Sequence, residues 1–137
     1  MEKRQVYQGI VRTGRGAGAV IMSTPGVMDA FRLLTGLSVI PGTLNVELTQ
    51  PCDLNLLDYI NLAEQGFKID LLEWGIEYEG ELGMHYGQVV VDGKYPAGVI
   101  FFNWVPNPTI NAELVSPHHL RNTLGLHDGD SIEFTLL

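Results

Sequence analysis

Apolar and polar residues alternate in short runs along the chain, and glycine or proline separates one run from the next. The alternation is strictest at 43–48, where it places Leu44, Val46 and Leu48 on one face of a half-buried strand. A mostly β-like pattern, interrupted by glycines that indicate bulges or barrel corners, extends over 68–91. Further strands are predicted at 6–13, 19–22, 99–104 and 131–137.

Three short segments have a helical period instead, at 23–36, 53–66 and 116–125. In the first of them Val27, Phe31 and Leu34 are spaced by four and three residues and form an apolar stripe. The predicted starts carry a capping side chain or a first-turn proline: Ser23-Thr24-Pro25, Asp53 and Ser116-Pro117. The predicted ends are glycines: Gly36, Gly66 and Gly125.

Two Asp-Gly pairs predict tight turns. Asp92-Gly93 lies between two β-like runs and is typical of a two-residue hairpin, and Asp128-Gly129 leads into the last strand. Six to eight short strands with about three short helices do not alternate as βαβ units. The pattern therefore predicts a mainly β fold, an antiparallel barrel or sandwich that forms one compact domain over residues 1–137.

Composition excludes several classes of protein. Of the 137 residues, 45% are apolar and 18% are charged, which excludes disorder for most of the chain. The net charge of −8 argues against a nucleic acid partner and against a polybasic membrane contact. Cys52 is the only cysteine, so the chain has neither an internal disulfide framework nor a cysteine-rich metal site. With no signal peptide pattern and no apolar run long enough to cross a bilayer, we expect a soluble, cytoplasmic protein.

The glycine-rich run consists of Gly14, Arg15, Gly16, Ala17, Gly18 and Ala19. It is not a P-loop, because the Gly-Lys-Ser/Thr ending is absent. It is not a dinucleotide fingerprint either, because the following stretch is β-like and broken by Pro25. Two interpretations stay open, a nest of backbone N–H groups that binds an anion and a flexible hairpin tip.

Side chains that contain oxygen share one face of the strand at 43–48. Its period of two places Thr43, Asn45 and Glu47 together, opposite the apolar face. Such donors suit Mg²⁺, which prefers oxygen ligands, although an ordinary solvated strand face has the same pattern.

The remaining polar candidates have simpler explanations when each is taken alone. His118 and His119 are adjacent and point about 100° apart on a helix, so they cannot chelate one metal. Glu113 by itself is interpreted as a surface carboxylate, and Phe101, Phe102 and Trp104 as core.

Four stretches, in order along the chain, carry a resemblance to a known family. They are Gly9 with Gly14-Arg15-Gly16-Ala17-Gly18; Pro41-Gly42-Thr43-Leu44-Asn45-Val46-Glu47-Leu48; Glu113 with Ser116-Pro117-His118-His119-Leu120-Arg121; and Leu126-His127-Asp128-Gly129-Asp130. With these stretches the chain resembles the CTP-dependent riboflavin kinases typical of archaea, over residues 9–134 and with a poorer match at about 50–95.

The resemblance implies a cradle-loop β-barrel that transfers the γ-phosphate of CTP to the 5′-hydroxyl of riboflavin, giving FMN and CDP. It implies that Thr43 and Asn45 ligate Mg²⁺, that Gly14 to Ala19 lie along the nucleotide, and that His118, His119, Leu120 and Arg121 form the other wall. Glu113 would bind on the flavin side, where Thr109 is the nearby hydroxyl. Arg15 and Arg121 would be the local cations.

Two functions stay open on the sequence. Intact Thr43 and Asn45 favour the kinase, because a pure binding protein has no need of the metal pair. Ala19, at a position where the family often has a basic residue, and the loop at 105–109 favour a non-catalytic nucleotide- or flavin-binding relative. A cytosine read through backbone groups leaves no side-chain signature, so the choice between CTP and ATP is open. For Glu47 we hypothesise an extra metal anchor or an acceptor for the proton of the substrate's hydroxyl.

Overall fold

The structure is a computed structural model, and it describes residues 5–13, 26–37 and 43–137. The strands are β1 (Val6–Arg12), β2 (Leu44–Leu48), β3 (Asp58–Asn61), β4 (Gly83–Val91), β5 (Tyr95–Phe102), β6 (Asn111–Val115) and β7 (Ser131–Leu136). The helices are α1 (Val27–Thr35) and α2 (Leu120–Thr123), with 3₁₀ turns at Leu54–Leu56 and Leu72–Trp74. Neither of these two α-helices is long and apolar enough to cross a membrane.

Six of the strands close into an antiparallel barrel. The sheet order is β3-β4-β5-β6-β2-β1-β7, and β7 pairs again with β4. The long strand β4 makes this possible, because Gly83 to Tyr86 pair with β3 while Val89 to Val91 pair with β7. The mainly β class is confirmed, with six barrel strands and one additional strand.

The barrel interior is filled by one side of each alternating strand. Along β2, Leu44, Val46 and Leu48 are buried while the residues between them are half-buried, which confirms the predicted alternation. Val46 pairs with Val11 on β1 and with Ala112 on β6, and all three are 1% exposed or less. The opposite face of the same strands therefore points out of the barrel.

A second apolar cluster covers the outside of β4, β5 and β6. It contains Val27 of α1 together with Leu62, Leu71, Met84, Ile100, Phe102, Trp104 and Val115. Because β5 is covered on both faces, every residue from Ala97 to Phe102 is buried, and the strand reads as a continuous apolar run. The prediction that Phe101, Phe102 and Trp104 are core residues is confirmed.

The helix predicted at 53–66 is wrong beyond its first turn. Asp53 does cap a helical turn, since its side chain accepts a hydrogen bond from the backbone N–H of Asn55 at 3.0 Å. The turn ends at Leu56, and Leu57 is extended. The chain then forms β3, whose backbone pairs with β4 from Gly83 to Tyr86. The β-like prediction for 68–91 holds only for Gly83–Val91, and a 3₁₀ turn at Leu72–Trp74 interrupts the irregular stretch before it.

Other boundaries differ by a few residues. The cap of α1 is Gly26, while Ser23 to Pro25 and the predicted strand at 19–22 lie outside the described residues. Gly36 ends α1 in the left-handed conformation, as predicted. The hairpin between β4 and β5 has three loop residues, 92–94, rather than two.

The helix predicted from Ser116 begins later, at Leu120. His119 is its N-cap, and Ser116 instead accepts a hydrogen bond from the backbone N–H of His118 at 3.1 Å. The Ser116 hydroxyl also donates to the carbonyl of Pro96 at 2.9 Å. Ser116 therefore shapes the turn that leads to α2 and anchors it to β5, instead of starting the helix itself.

Candidate functional site

Polar side chains from three adjacent strands lie side by side on the outer face of the barrel. Asn45 on β2 pairs in register with Arg12 on β1 and with Glu113 on β6. Two residues further along β2, on the same face, Glu47 pairs with Asn111 on β6. Residues directly opposite in a sheet have neighbouring side chains, so the strand register itself assembles this group.

Glu113 is a buried carboxylate, 4% exposed. It accepts a hydrogen bond from the hydroxyl of Thr43 at 2.7 Å. The interpretation of Glu113 as a surface carboxylate is wrong, because its strand neighbour Ile100 belongs to the apolar cluster outside the barrel. A buried carboxylate next to a hydroxyl is a strong acceptor for further O–H and N–H donors.

A cavity of about 370 Å³ opens beside Glu113, and we call it the polar cavity. Its lining residues are Arg12, Thr13, Asn45, Val46, Glu47, Val105, Asn111, Ala112, Glu113 and Asp128. They include three carboxylates and one arginine, so the cavity is acidic as the described residues form it. It brings together the predicted residues Asn45, Glu47 and Glu113, and Thr43 adjoins it through its hydrogen bond to Glu113.

Arg12 and Glu47 form a loose ion pair inside this cavity. The Nε of Arg12 lies 3.7 Å from a carboxylate oxygen of Glu47, and both side chains are about half exposed. Such a pair in contact with water contributes little stability, between about 0 and 1 kcal/mol.

Asp128 connects the end of β1 to α2. One carboxylate oxygen accepts a hydrogen bond from the hydroxyl of Thr13, and the other lies 3.0 Å from the guanidinium of Arg121. The hydrogen bond from Thr13, reinforced by the one from Arg121, lowers the pKa of Asp128 below its ordinary value. Asp128 thereby joins the residue before the glycine-rich run to the stretch at 118–121.

The stretch at 118–121 has both exposed and buried members. His118 and His119 are exposed, and His119 accepts a hydrogen bond from the backbone N–H of Asn122 at 3.4 Å. The ring of His118 lies edge-on to Tyr95, with centroids 5.5 Å apart. Leu120 is a core residue at 4% exposure, so its side chain faces the barrel interior.

Some predicted residues are not placed at the polar cavity. Gly14 to Ala19 lie outside the described residues. Thr109 is half-buried in the loop before β6, where its carbonyl accepts a hydrogen bond from the N–H of Cys52 at 2.9 Å. It is absent from the described lining residues, whereas Val105 of the same loop is among them.

Cys52 is no candidate nucleophile at neutral pH. It is 5% exposed, and burial raises the pKa of its thiol.

The close approach of β1 and β2 explains why the family pattern has glycine at Gly9. A Cβ at this position would collide with the side chain of Val46 and lie 2.8 Å from the carbonyl of Glu47, so β1 and β2 could not approach.

The donors at the cavity are suitable for a hard divalent cation. Within the ranges that the structure describes, no three His, Cys, Asp or Glu side chains are grouped to hold a metal. Thr43 and Asn45 supply neutral oxygens beside the carboxylate of Glu113. Mg²⁺ takes few protein ligands and completes its shell with water and phosphate oxygens, so this donor set fits it.

Sequence reasoning missed Arg12, Thr13 and Asp128 as members of the site. The sequence places Asp128 in a turn that belongs to the family resemblance and Arg12 in a strand, without assigning either to the site. The strand period does place Arg12 on the outer face of β1. The register that puts it beside Asn45 joins segments 33 residues apart, and a single sequence does not reveal this pairing.

The family model and the similar proteins in the comparison all indicate the same family. Residues 11–136 match the family model CTP-dep_RFKase, described as "Domain of unknown function DUF120". A protein of Methanospirillum hungatei JF-1 named riboflavin kinase is 32% identical over 145 residues, which cover 98% of this chain and 60% of that relative. Riboflavin kinase of Methanocella arvoryzae is 34% identical over 131 residues, covering 96% of this chain and 56% of the relative.

A shorter relative is matched over nearly all of its length. Riboflavin kinase of Methanothermobacter thermautotrophicus is 26% identical over 127 residues, covering 92% of this chain and 94% of the relative. By contrast, the chain spans 60% and 56% of the length of the two relatives above.

Proposed function

Because the chain belongs to the CTP-dependent riboflavin kinase family, whose model covers residues 11–136, we propose that it is a riboflavin kinase that uses CTP. The bond between the γ-phosphorus and its bridging oxygen breaks, and the electron pair leaves with CDP. The 5′-oxygen of riboflavin forms the new bond to phosphorus and gives up its proton, and FMN results. We place this reaction in the cytoplasm, with no nucleic acid or membrane partner.

The observation that carries this proposal is the group formed by Thr43, Asn45 and Glu113. Thr43 and Asn45 belong to the stretch that resembles the family's metal-binding strand, and they lie against the buried carboxylate of Glu113. Thr43 and Asn45 would hold Mg²⁺, which neutralises the phosphate oxygens during transfer. Glu113 would accept hydrogen bonds from hydroxyl groups of riboflavin, because a buried carboxylate gains more from such donors than an exposed one.

The nucleotide would lie between the glycine-rich run Gly14–Ala19 and the stretch His118–Arg121. The support for this placement is Asp128, which contacts both Thr13, next to the glycine-rich run, and Arg121. In a chain of net charge −8 the background field repels a polyanionic nucleotide, so charge neutralisation within the site is needed for binding.

Glu47 has two possible roles in this scheme. It is half-buried on the same face of β2 as Asn45, and it lines the polar cavity. It would either provide an additional anchor for Mg²⁺ or accept the proton of the 5′-hydroxyl.

The test is to incubate the purified protein with riboflavin, Mg²⁺ and either CTP or ATP, and to measure FMN by chromatography. We expect FMN with CTP, and its loss on removal of Mg²⁺ or in the Thr43→Val variant. Thr49→Val is the matched control, because Thr49 is exposed just beyond β2 and lines a different groove. FMN with ATP alone would keep the reaction and overturn the choice of nucleotide.

The absence of FMN under all conditions would favour a non-catalytic relative that binds nucleotide or flavin. Thermal shifts then separate the two binding functions, because a ligand that binds only the folded state raises the melting temperature. Stabilisation by CDP only with Mg²⁺ would indicate a nucleotide site, and stabilisation by FMN alone would indicate a flavin carrier.

A further inference from the structure

The polar cavity has an excess of negative charge for a site that is to receive phosphates. Its described lining contains Glu47, Glu113 and Asp128 as carboxylates and Arg12 as the one cation. Positive groups close to the phosphate oxygens are therefore needed to offset the repulsion from these carboxylates. Because Arg12 is the one cation of the described lining, its location determines where the cavity can bind phosphate oxygens.

Arg12 is directly beside the proposed metal position. It pairs in register with Asn45, across the two adjacent strands β1 and β2. Both side chains point to the outer face of the barrel and line the same cavity. Phosphate oxygens held by a cation at Thr43 and Asn45 would thus lie within reach of the Arg12 guanidinium.

The present partner of Arg12 is easily replaced. The ion pair with Glu47 runs through Nε at 3.7 Å, with both side chains about half exposed. A guanidinium fork binds phosphate through two parallel hydrogen bonds, which are shorter and stronger than such a contact. A bound phosphate chain would therefore outcompete the carboxylate of Glu47.

We propose that Arg12 is a phosphate-binding residue of this chain, which exchanges Glu47 for phosphate oxygens of the nucleotide when the nucleotide enters the polar cavity. This inference rests on the proposed function for the identity of the nucleotide. The recognition chemistry itself, a guanidinium that contacts a polyphosphate beside Mg²⁺, does not depend on riboflavin or on the base.

The test compares Arg12→Gln with Arg32→Gln and Arg12→Lys. Arg32 on α1 is the matched control, because it is also half exposed and forms a loose pair, with Asp29 at 3.5 Å. We expect Arg12→Gln to raise KM for CTP at least about tenfold while KM for riboflavin stays unchanged. Arg12→Lys restores part of the affinity, since it retains the charge without the fork, and Arg32→Gln behaves as the wild type.

A binding measurement separates this inference from the proposed function. Inorganic tripolyphosphate with Mg²⁺ is titrated calorimetrically into the wild type and into the two glutamine variants. If the wild type forms no FMN but binds tripolyphosphate, and Arg12→Gln alone weakens that binding, the inference holds and the proposed function fails. If the wild type forms FMN and Arg12→Gln has the KM of the wild type, the inference is overturned and the function stands. No binding of tripolyphosphate by the wild type also overturns it.

Discussion

At the scale of single residues, the contact between Thr43 and Glu113 carries both structure and proposed chemistry. The hydroxyl of Thr43 donates to a carboxylate that is 4% exposed, so its loss leaves a buried acceptor without this donor. The two residues are 70 positions apart in sequence. Their types and their family pattern could be recognised from the sequence, but the burial of Glu113 could not, because it depends on which residues cover β6.

Thr43→Val should destabilise the fold measurably. The substitution keeps the side-chain volume and removes the hydroxyl, and we expect a loss of about 1–3 kcal/mol in the free energy of unfolding. Urea denaturation measures this loss. Thr49→Val, at an exposed position, should remain within about 0.5 kcal/mol of the wild type. A midpoint for Thr43→Val equal to that of the wild type would show that the hydrogen bond to Glu113 contributes nothing to stability.

Glu47→Gln distinguishes the two roles proposed for this carboxylate. If Glu47 anchors Mg²⁺, the concentration of Mg²⁺ for half-maximal turnover should rise with little change in the maximal rate. If it accepts the proton, kcat should fall about 10²–10⁴-fold at saturating Mg²⁺. Turnover and Mg²⁺ dependence equal to those of the wild type would eliminate both roles and leave Glu47 as the partner of Arg12.

At the scale of elements, the local sequence pattern predicts a strand correctly where one face of the strand is buried and the other is exposed to solvent. The period of β2 gives its buried side correctly and its bounds to within one residue, because one face packs into the barrel and the other borders the polar cavity. It fails at 53–66, where Asp53 begins a helical turn and β3 follows at once. The strand conformation of β3 depends on its pairing with β4, and the sequence around 58–61 carries no local pattern that predicts this pairing.

The contact of Asp128 with Thr13 and Arg121 joins two segments of the fold and depends on pH. Its pKa is lowered by the hydrogen bond from Thr13 and then by the one from Arg121, so the ionised form is favoured in the folded state. The resulting stability is present above the ordinary pKa of 3.8 and is lost as the pH falls through the lower value of the folded protein.

Asp128→Asn should therefore melt below the wild type at neutral pH, and the difference should shrink as the pH falls below about 4. Melting curves over this range measure the difference. Asp29→Asn, which removes a carboxylate from an exposed pair in the first turn of α1, is the control and should melt closer to the wild type than Asp128→Asn at neutral pH. A difference for Asp128→Asn that is independent of pH would contradict the role of its charge.

At the scale of the whole molecule, the closed barrel brings distant segments to one cavity. Thr13 and Asp128, which meet at its edge, are 115 residues apart. The mainly β class follows from the many short alternating runs and their turns. The pairing of β7 with both β1 and β4, which closes the barrel, depends on contacts across nearly the full chain. Sequence reasoning could thus name β1, β2, β4, β5 and β7 and three of the described lining residues, Asn45, Glu47 and Glu113. It could not name β3, β6 or the strand order that makes these residues line one cavity.

Closure of the barrel also predicts a loss of stability in alkali that can be traced to Tyr7. Tyr7 on β1 contacts Phe134 on β7, with ring centroids 5.7 Å apart, and is 8% exposed. Burial, together with a hydrogen bond to Cys52, raises its pKa from 10.0 to about 12, so the neutral phenol is favoured in the folded state. This stability is fully present below pH 10 and is lost as the pH rises through about 12, and the loss amounts to about 2–3 kcal/mol.

Urea denaturation of the wild type and of Tyr7→Phe at increasing pH measures this loss. We expect the free energy of unfolding of the wild type to fall by about 2–3 kcal/mol more than that of the variant. Parallel decreases for the two proteins would mean that Tyr7 ionises as freely in the folded barrel as in the unfolded chain.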